Sequence, residues 1–239
     1  MPAIVEANDD GMYVLKFRGA GQGSRALIAE LVAGEIAREA GLPVPEIVFV
    51  ELDAELARTE PDPEIQELIR ASAGLNLALD YLPGAVTFDP VAEKPDAYLA
   101  SSIVWFDAYV SNVDRTARNT NMLSWHRRLW LIDHGAALYF HHAPGSYRKR
   151  SRDPFHMIKD HVLLRSASAL READAKMSER LSPSIGSIVR LIPDVWLVGE
   201  PSFGDKNQQR DAYTEYLVNR LEAPRVFLEE AIRARSVHL

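Results

Sequence analysis

The chain has 239 residues, 47% of them hydrophobic and 26% charged, with a formal charge of −7 at pH 7. That length suits one large domain or two small lobes with ample core material. The acidic balance argues against a broad nucleic-acid or membrane-surface footprint, since both want a basic face, and the lack of cysteine excludes disulfides and thiolate metal sites. The N-terminus Met-Pro-Ala-Ile-Val-Glu has neither the positive segment nor the apolar run of a secretion signal, and the apolar runs are too short to span a bilayer, so a cytoplasmic location is expected.

In chain order, the first fifty residues read strand, strand, helix, strand. Ala3 to Glu6 and Met12 to Phe17 form a hairpin across Asn8-Asp9-Asp10-Gly11, residues that tolerate positive φ. A glycine-rich loop, Arg18 to Gly23, leads into a helix over Ala26 to Ala40, where Leu27, Leu31, Gly34 and Ala37 recur at helical spacing and Ser24 stands as the candidate N-cap. Gly41 stops this helix, and Pro43 and Pro45 prevent its resumption. Glu46 to Leu52 reads as a strand, Thr59 to Ala73 as an acidic helix opened by Pro61 and Pro63, and Leu75 to Leu82 as a strand closed by Pro83-Gly84.

A boundary between lobes falls between Leu82 and Lys94, giving a small β-rich lobe over residues 1–84 and a mainly helical lobe over 85–239. In the second, Asp96 to Val110 reads as a largely apolar helix and Ser111 to Asn121 as a polar loop. Met122 to Trp125 and Leu129 to Ile132 then form two short strands around His126-Arg127-Arg128. Asp160 to Arg180, Ser184 to Leu191 and Gln208 to Arg235 read as mainly helical. This order is that of an α+β, protein-kinase-like two-lobe fold.

Phosphoryl transfer needs few protein parts. One carboxylate orients the acceptor hydroxyl, a second carboxylate and an amide hold Mg²⁺, and a lysine steadied by a third carboxylate meets the phosphates. Asp114 and Asn119 stand at the Asp-x-x-x-x-Asn spacing of a kinase catalytic loop, with Asp as base and Asn as metal ligand. Alone, that pair reads more readily as a polar loop with an Asx turn. Asp133 shifts the weight, because it ends the apolar strand Leu129-Trp130-Leu131-Ile132, precedes His134-Gly135, and lies where the hairpin returns the chain to the first loop.

Lys16 shares a strand face with Val14, opposite Leu15 and Phe17. If buried it needs a carboxylate, for which Glu30 and Glu35 on the following helix compete; otherwise it is an edge-strand lysine in water. Gly19, Gly21 and Gly23 precede a helix N-terminus, which attracts anions, but they miss the Gly-x-Gly-x-x-Gly fingerprint, and a mobile connection explains them more simply.

Together these pieces resemble the HipA-type kinases, in particular a group of short bacterial HipA-like domains. The resemblance is carried by Tyr13-Val14-Leu15-Lys16-Phe17-Arg18-Gly19, by Glu30 with the following Glu35-Ile36-Ala37-Arg38-Glu39-Ala40-Gly41-Leu42-Pro43-Val44-Pro45, and by Leu79 to Ala85 as the hinge. Asn112 to Asn119 and Ile132-Asp133 complete it. The Asp114-Arg115 pair is also similar to phosphatidylinositol kinases, distant relatives of that fold. The resemblance implies ATP- and Mg²⁺-dependent transfer of the γ-phosphoryl group to a hydroxyl of a protein or small molecule, of Ser/Thr type for a protein. It implies Lys16 on the α/β-phosphates, Glu30 as its partner, Asp114 as base, Asn119 with Asp133 on Mg²⁺, and backbone groups around Tyr81 and Leu82 on the adenine, with residues 1–84 as the nucleotide-binding lobe. Asn121, just before Met122-Leu123, is the alternative to Asn119, and His134 replaces the Phe usual after the metal Asp.

Other signals are weaker. His141-His142, His156 and His161 suggest zinc, although His156 and His161, five apart, splay on a helix. Arg148-Lys149-Arg150, with Arg152, lies where an activation segment would lie and reads either as a receptor for phosphate or an acidic substrate or as a solvated run. Two further functions compete: a catalytically degenerate kinase fold that binds nucleotide or a partner, and a pyridoxal-phosphate aminotransferase, which needs a Schiff-base lysine in a large α/β domain.

Overall fold

Local chemistry sets each element of the first lobe in the computed structural model, which describes residues 2–197 and 202–237. Strand β1 (Pro2–Glu6) turns at Asp10, φ 63°, and returns as β2 (Met12–Lys16) with Ile4 opposite Val14. Helix α1 (Ser24–Glu39) starts earlier than the sequence suggested. Ser24 is its first helical residue rather than its cap; Gly23 is the cap, at φ 66° and ψ −144°, a conformation open to glycine and closed to a serine cap. At the other end the Leu42 N–H donates to the Ala37 carbonyl and the Gly41 N–H to that of Arg38, with Gly41 at φ 84°. That pair of bonds ends the helix and satisfies two orphan carbonyls.

Strand β3 (Ile47–Leu52), helix α2 (Pro63–Ala71) and β4 (Gly74–Asp80) complete this lobe, the Asp62 carboxylate capping α2 through the Glu64 and Ile65 N–H groups. The sheet runs β1-β2-β4-β3, all antiparallel. Its two faces differ. Leu15, Phe17 and Ala78 pack with Leu68 and Ile69 of α2, while α1 covers the other face at close range. A Cβ on Gly34 would meet Ile47 Cδ1 at 2.5 Å. The strand alternation therefore puts Lys16 on the α1 side.

Beyond the sheet, β5 (Val86–Thr87), α3 (Ala97–Val110), β6 (Met122–Trp125) and β7 (Arg128–Leu131) follow, with the three strands in one antiparallel sheet ordered β5-β6-β7. Two-residue β5 is too short to carry a periodicity that sequence reading could detect. Short α4 (Tyr147–Arg150) is succeeded by α5 (Leu170–Leu181), α6 (Ile185–Arg190), α7 (Lys206–Leu221) and α8 (Val226–Val237).

Two helical expectations need correction. Residues 160–169 are not α-helical; short 3₁₀ helices, His156–Asp160 and Leu164–Ser166, flank an extended His161, whose ring is drawn inward to Asp107. The helix expected over Gln208 to Arg235 is two helices, broken where Pro224 has no N–H to donate. One hydrophobic core runs from α1 (Ile28, Val32, Ile36) through Leu77 and Leu79 of β4 into α3 and the C-terminal helices. The two halves therefore meet over a shared interior. No helix among the described residues is long and apolar enough to cross a membrane.

Candidate active site

The loop after α3 is organised by a carboxylate that faces away from solvent. Asp107, in the last turn of α3, is fully buried, as is the Arg115 side chain that donates through Nε to its Oδ2 at 2.6 Å. Asn112 Nδ2 donates to Oδ1 at 2.9 Å, and His161 Nε2 lies 2.9 Å from Oδ2. Because the Leu163 N–H donates to His161 Nδ1 at 3.0 Å, the ring carries its proton on Nε2 and donates it to Asp107. Arg115 also donates through Nη1 to the Asn121 carbonyl, so one guanidinium clasps both ends of the loop. Burial pushes the Asp107 carboxyl up, but Arg115 and His161 outweigh it and hold it at about 2.

The folded value lies below the ordinary 3.8, so Asp107 contributes stability that is fully present above pH 3.8 and disappears as pH falls through the folded value. Acid unfolding followed by circular dichroism should steepen between about pH 4 and 2, and Asp107→Asn should flatten that limb. An unchanged acid limb in the variant would contradict this assignment.

Sequence alone does not point to Asp107, and it marks His161 only as a weak zinc candidate and Arg115 only as part of the Asp114-Arg115 pair. The available signal was a lone carboxylate inside the apolar run Ile103 to Val110, which cannot stay charged in a core without partners.

The loop itself gathers the candidate residues. Asp114 Oδ2 accepts from Asn119 Nδ2 at 2.8 Å and from Asn121 Nδ2 at 3.2 Å. The two amides differ in setting. Asn119 is exposed. Asn121 is buried, sits at φ 45°, and has its carbonyl fixed by Arg115 and by the Ile132 N–H at 3.0 Å. That last bond ties Asn121 to the segment that ends in Asp133, which is itself left-handed at φ 56°.

Lys16 reaches the same place from β2. Its Nζ lies 2.8 Å from Asp133 Oδ1 and 3.6 Å from Glu30 Oε2. Glu35 pairs with Arg38 at 3.0 Å instead, which decides the competition for the lysine in favour of Glu30. Burial lowers the Lys16 pKa, but Glu30 and Asp133 together raise it above its ordinary value. Burial raises that of Glu30, and Lys16 and His134 outweigh it, holding the carboxyl well below the usual range.

His134 is buried beneath this pair, with Nδ1 3.5 Å from Glu30 Oε1 and its ring edge-on to Phe106. At 3.5 and 3.6 Å neither contact is a hydrogen bond, and both Glu30 oxygens lack a donor. Lys16, Glu30, Asp133 and Gly135 form one wall of a cleft, and Ala20, Gly21, Gln22 and the first turn of α1 form another.

Tyr81 and Leu82 are not part of that lining. They follow β4 beyond Leu77, the residue opposite Lys16, and the Tyr81 N–H is spent on the Met12 carbonyl at 3.0 Å. The histidines lie apart: His141 Nδ1 is 3.0 Å from the Tyr213 hydroxyl, His156 Nδ1 is 2.9 Å from Glu230, and His161 serves Asp107. His156 and His161 do not share a helix, and no group of three or more His, Asp or Glu is placed to hold a metal among the described residues. Arg148 and Arg152 pair with Glu215 and Glu222.

A small antiparallel sheet bearing a lysine–glutamate pair, joined to a helical half bearing a clasped Asp-Asn loop and a strand-end Asp, defines a protein-kinase-like fold. The chain belongs to the HipA-like kinase family, whose model matches residues 1–228. It is similar in fold to a Helicobacter pylori proinflammatory kinase, CtkA, seen in a crystal structure, with a TM-score of 0.55 and 13% identity over 100% of this chain and 95% of that one. No curated protein sequence matches it. Its antiparallel sheets are not the large α/β domain that a pyridoxal-phosphate aminotransferase requires.

Proposed function

We propose that this HipA-like kinase transfers the γ-phosphoryl group of Mg-ATP to a hydroxyl, of the Ser/Thr type where the acceptor is a protein, and that it works in the cytoplasm, where ATP is supplied. The observation that carries this reading is the Lys16–Asp133 contact of 2.8 Å backed by buried Glu30. In the free protein the two charges neutralise one another across the cleft; Lys16 is then available to a phosphate and Asp133 to a cation.

The glycine-rich turn and the N-terminus of α1, which line the same cleft, add backbone N–H groups and a positive dipole end for the triphosphate. The Tyr81 carbonyl and Leu82 N–H are the backbone groups assigned to the adenine. Asp114 orients the acceptor hydroxyl and takes up its proton.

The donor set suits magnesium, a hard ion that is held by one or two carboxylates plus substrate phosphates and water. Asp133 supplies a half-exposed carboxylate, 48% accessible, and each asparagine turns its Nδ2 to Asp114, leaving Oδ1 for a cation. Asn121 is the better ligand, because its backbone is pinned beside Asp133 whereas Asn119 is exposed. When bound, the ion would be held by Asp133 and Asn121 and would neutralise the charge that develops during transfer. Lys16, Glu30 and Asp133 share one cleft, and Asn121 of the Asp114 loop is tied to the segment that ends in Asp133, which favours an active enzyme over a degenerate binding fold.

The test is release of ADP and transfer of γ-labelled phosphate. Turnover should require Mg²⁺ and fall at least about a hundredfold in Asp133→Ala. Asn121→Ala should lose more than Asn119→Ala. Turnover that survives Asp133→Ala, or that depends on Asn119 alone, would contradict the respective assignment.

A further inference from the structure

Beside the catalytic loop lies a second, open cavity of about 490 Å³. Val113, directly before Asp114, forms part of its wall together with Phe140 and Phe155. Tyr139 and Met157 stand on it 51% and 49% exposed, an apolar surface that a folded chain leaves in water only at some cost.

Arg150 lines the same cavity. Its guanidinium sits 5.9 Å from the Tyr139 ring centroid, and its Nη1 is buried without a hydrogen-bond partner. It belongs to the basic run 148–152 of a chain whose net charge is −7. Arg148 and Arg152 are neutralised by Glu215 and Glu222, but no ion pair engages Lys149 or Arg150 among the described residues. The lining holds a single carboxylate, Asp153, and His156 is already paired with Glu230.

We propose that this cavity docks the phosphoryl acceptor, and that the acceptor is an acidic stretch of protein chain. It inserts one aromatic or long aliphatic side chain against Phe140 and Phe155. A nearby carboxylate meets Arg150 and Lys149, and a neighbouring hydroxyl is thereby presented to Asp114. This rests on the reading of Asp114 as the transfer site. The separation of an apolar hole from a strip of unpaired cations fits a polymer that offers both kinds of group at fixed spacing. Val113 makes the cavity continuous with the loop that carries the chemistry.

The experiment uses the full chain without nucleotide and reads anisotropy of short fluorescent peptides containing one serine. Three peptides are compared: glutamates with phenylalanine, glutamates with alanine in its place, and lysines with phenylalanine. The first should bind at least about tenfold more tightly than the other two. Met157→Glu, at an exposed position, should weaken it about tenfold, and Arg150→Glu should shift preference from the glutamate to the lysine peptide. A switched preference cannot come from poor folding. Equal affinity for the three peptides, or unchanged affinity in both variants, overturns the proposal. Mg-ATP binding is measured separately on the same samples. Its absence with peptide discrimination intact overturns the nucleotide reading alone, and its presence without discrimination overturns the docking site alone.

Discussion

Asp114→Asn should lower phosphoryl transfer by roughly 10²–10⁴-fold, the usual contribution of a positioned general base, while leaving the protein folded and able to bind nucleotide. The expectation follows from how little of the fold depends on this side chain. Its carboxylate accepts from two asparagine amides, both of which an amide oxygen at the same position can still receive. The loop is held by Asp107 and Arg115 instead. The unfolding midpoint should therefore stay within about 1 kcal/mol of wild type. Single-turnover transfer together with nucleotide affinity is the measurement. Loss of binding along with transfer would place Asp114 in the architecture rather than the chemistry.

Asp107→Ala should do the reverse, with its largest effect on stability. The substitution strands a guanidinium that is wholly out of water, and leaves Asn112 and His161 as donors without an acceptor. Breaking a buried pair from one side costs about 3–5 kcal/mol, because the remaining charge is uncompensated. Against a total stability of roughly 5–15 kcal/mol, that is a large share. Urea unfolding should show the midpoint falling by the corresponding amount. Activity should fall as well, since Arg115 would no longer hold the Asn121 carbonyl and thus the loop. Asp107→Asn, which keeps a carbonyl acceptor without the charge, should lie between the two. A midpoint unmoved in Asp107→Ala would contradict the account of the loop.

These two aspartates also mark how far the sequence could be read. Lys16, Glu30, Asp114 and Asp133 were legible because each is announced locally: by strand alternation, by a helix that follows, by loop spacing, or by a strand end. The structure brings Lys16, Glu30 and Asp133 into one cleft and Asp114 into one hydrogen-bonded loop with Asn119 and Asn121. Asp107 was passed over because its helix reads as a plain apolar segment, and its partner His161 lies 54 residues away, a pairing that periodicity does not encode.

The same contact explains the helix expected from Asp160. Helical propensity there is overridden by a side chain anchored in the core. Residue type favours Ser24 as the cap, whereas the entry to α1 is set by the backbone freedom of Gly23, and type alone does not rank the two. The docking cavity could not be read at all. Val113, Phe140, Phe155 and Arg150 are scattered along the chain and meet only through the packing of the segment after Asp133 against α7.

Lys16, backed by Glu30 and paired with Asp133, is proposed to form the site for Mg-ATP. Calorimetric titration of ATP, with magnesium and with a chelator, into the wild-type protein and Lys16→Gln tests it most directly. Wild type in magnesium should bind one nucleotide per chain, with affinity reduced at least about tenfold by the chelator and again by Lys16→Gln. Wild-type protein that takes up no nucleotide, or a variant that binds it equally well, would rule out this nucleotide site.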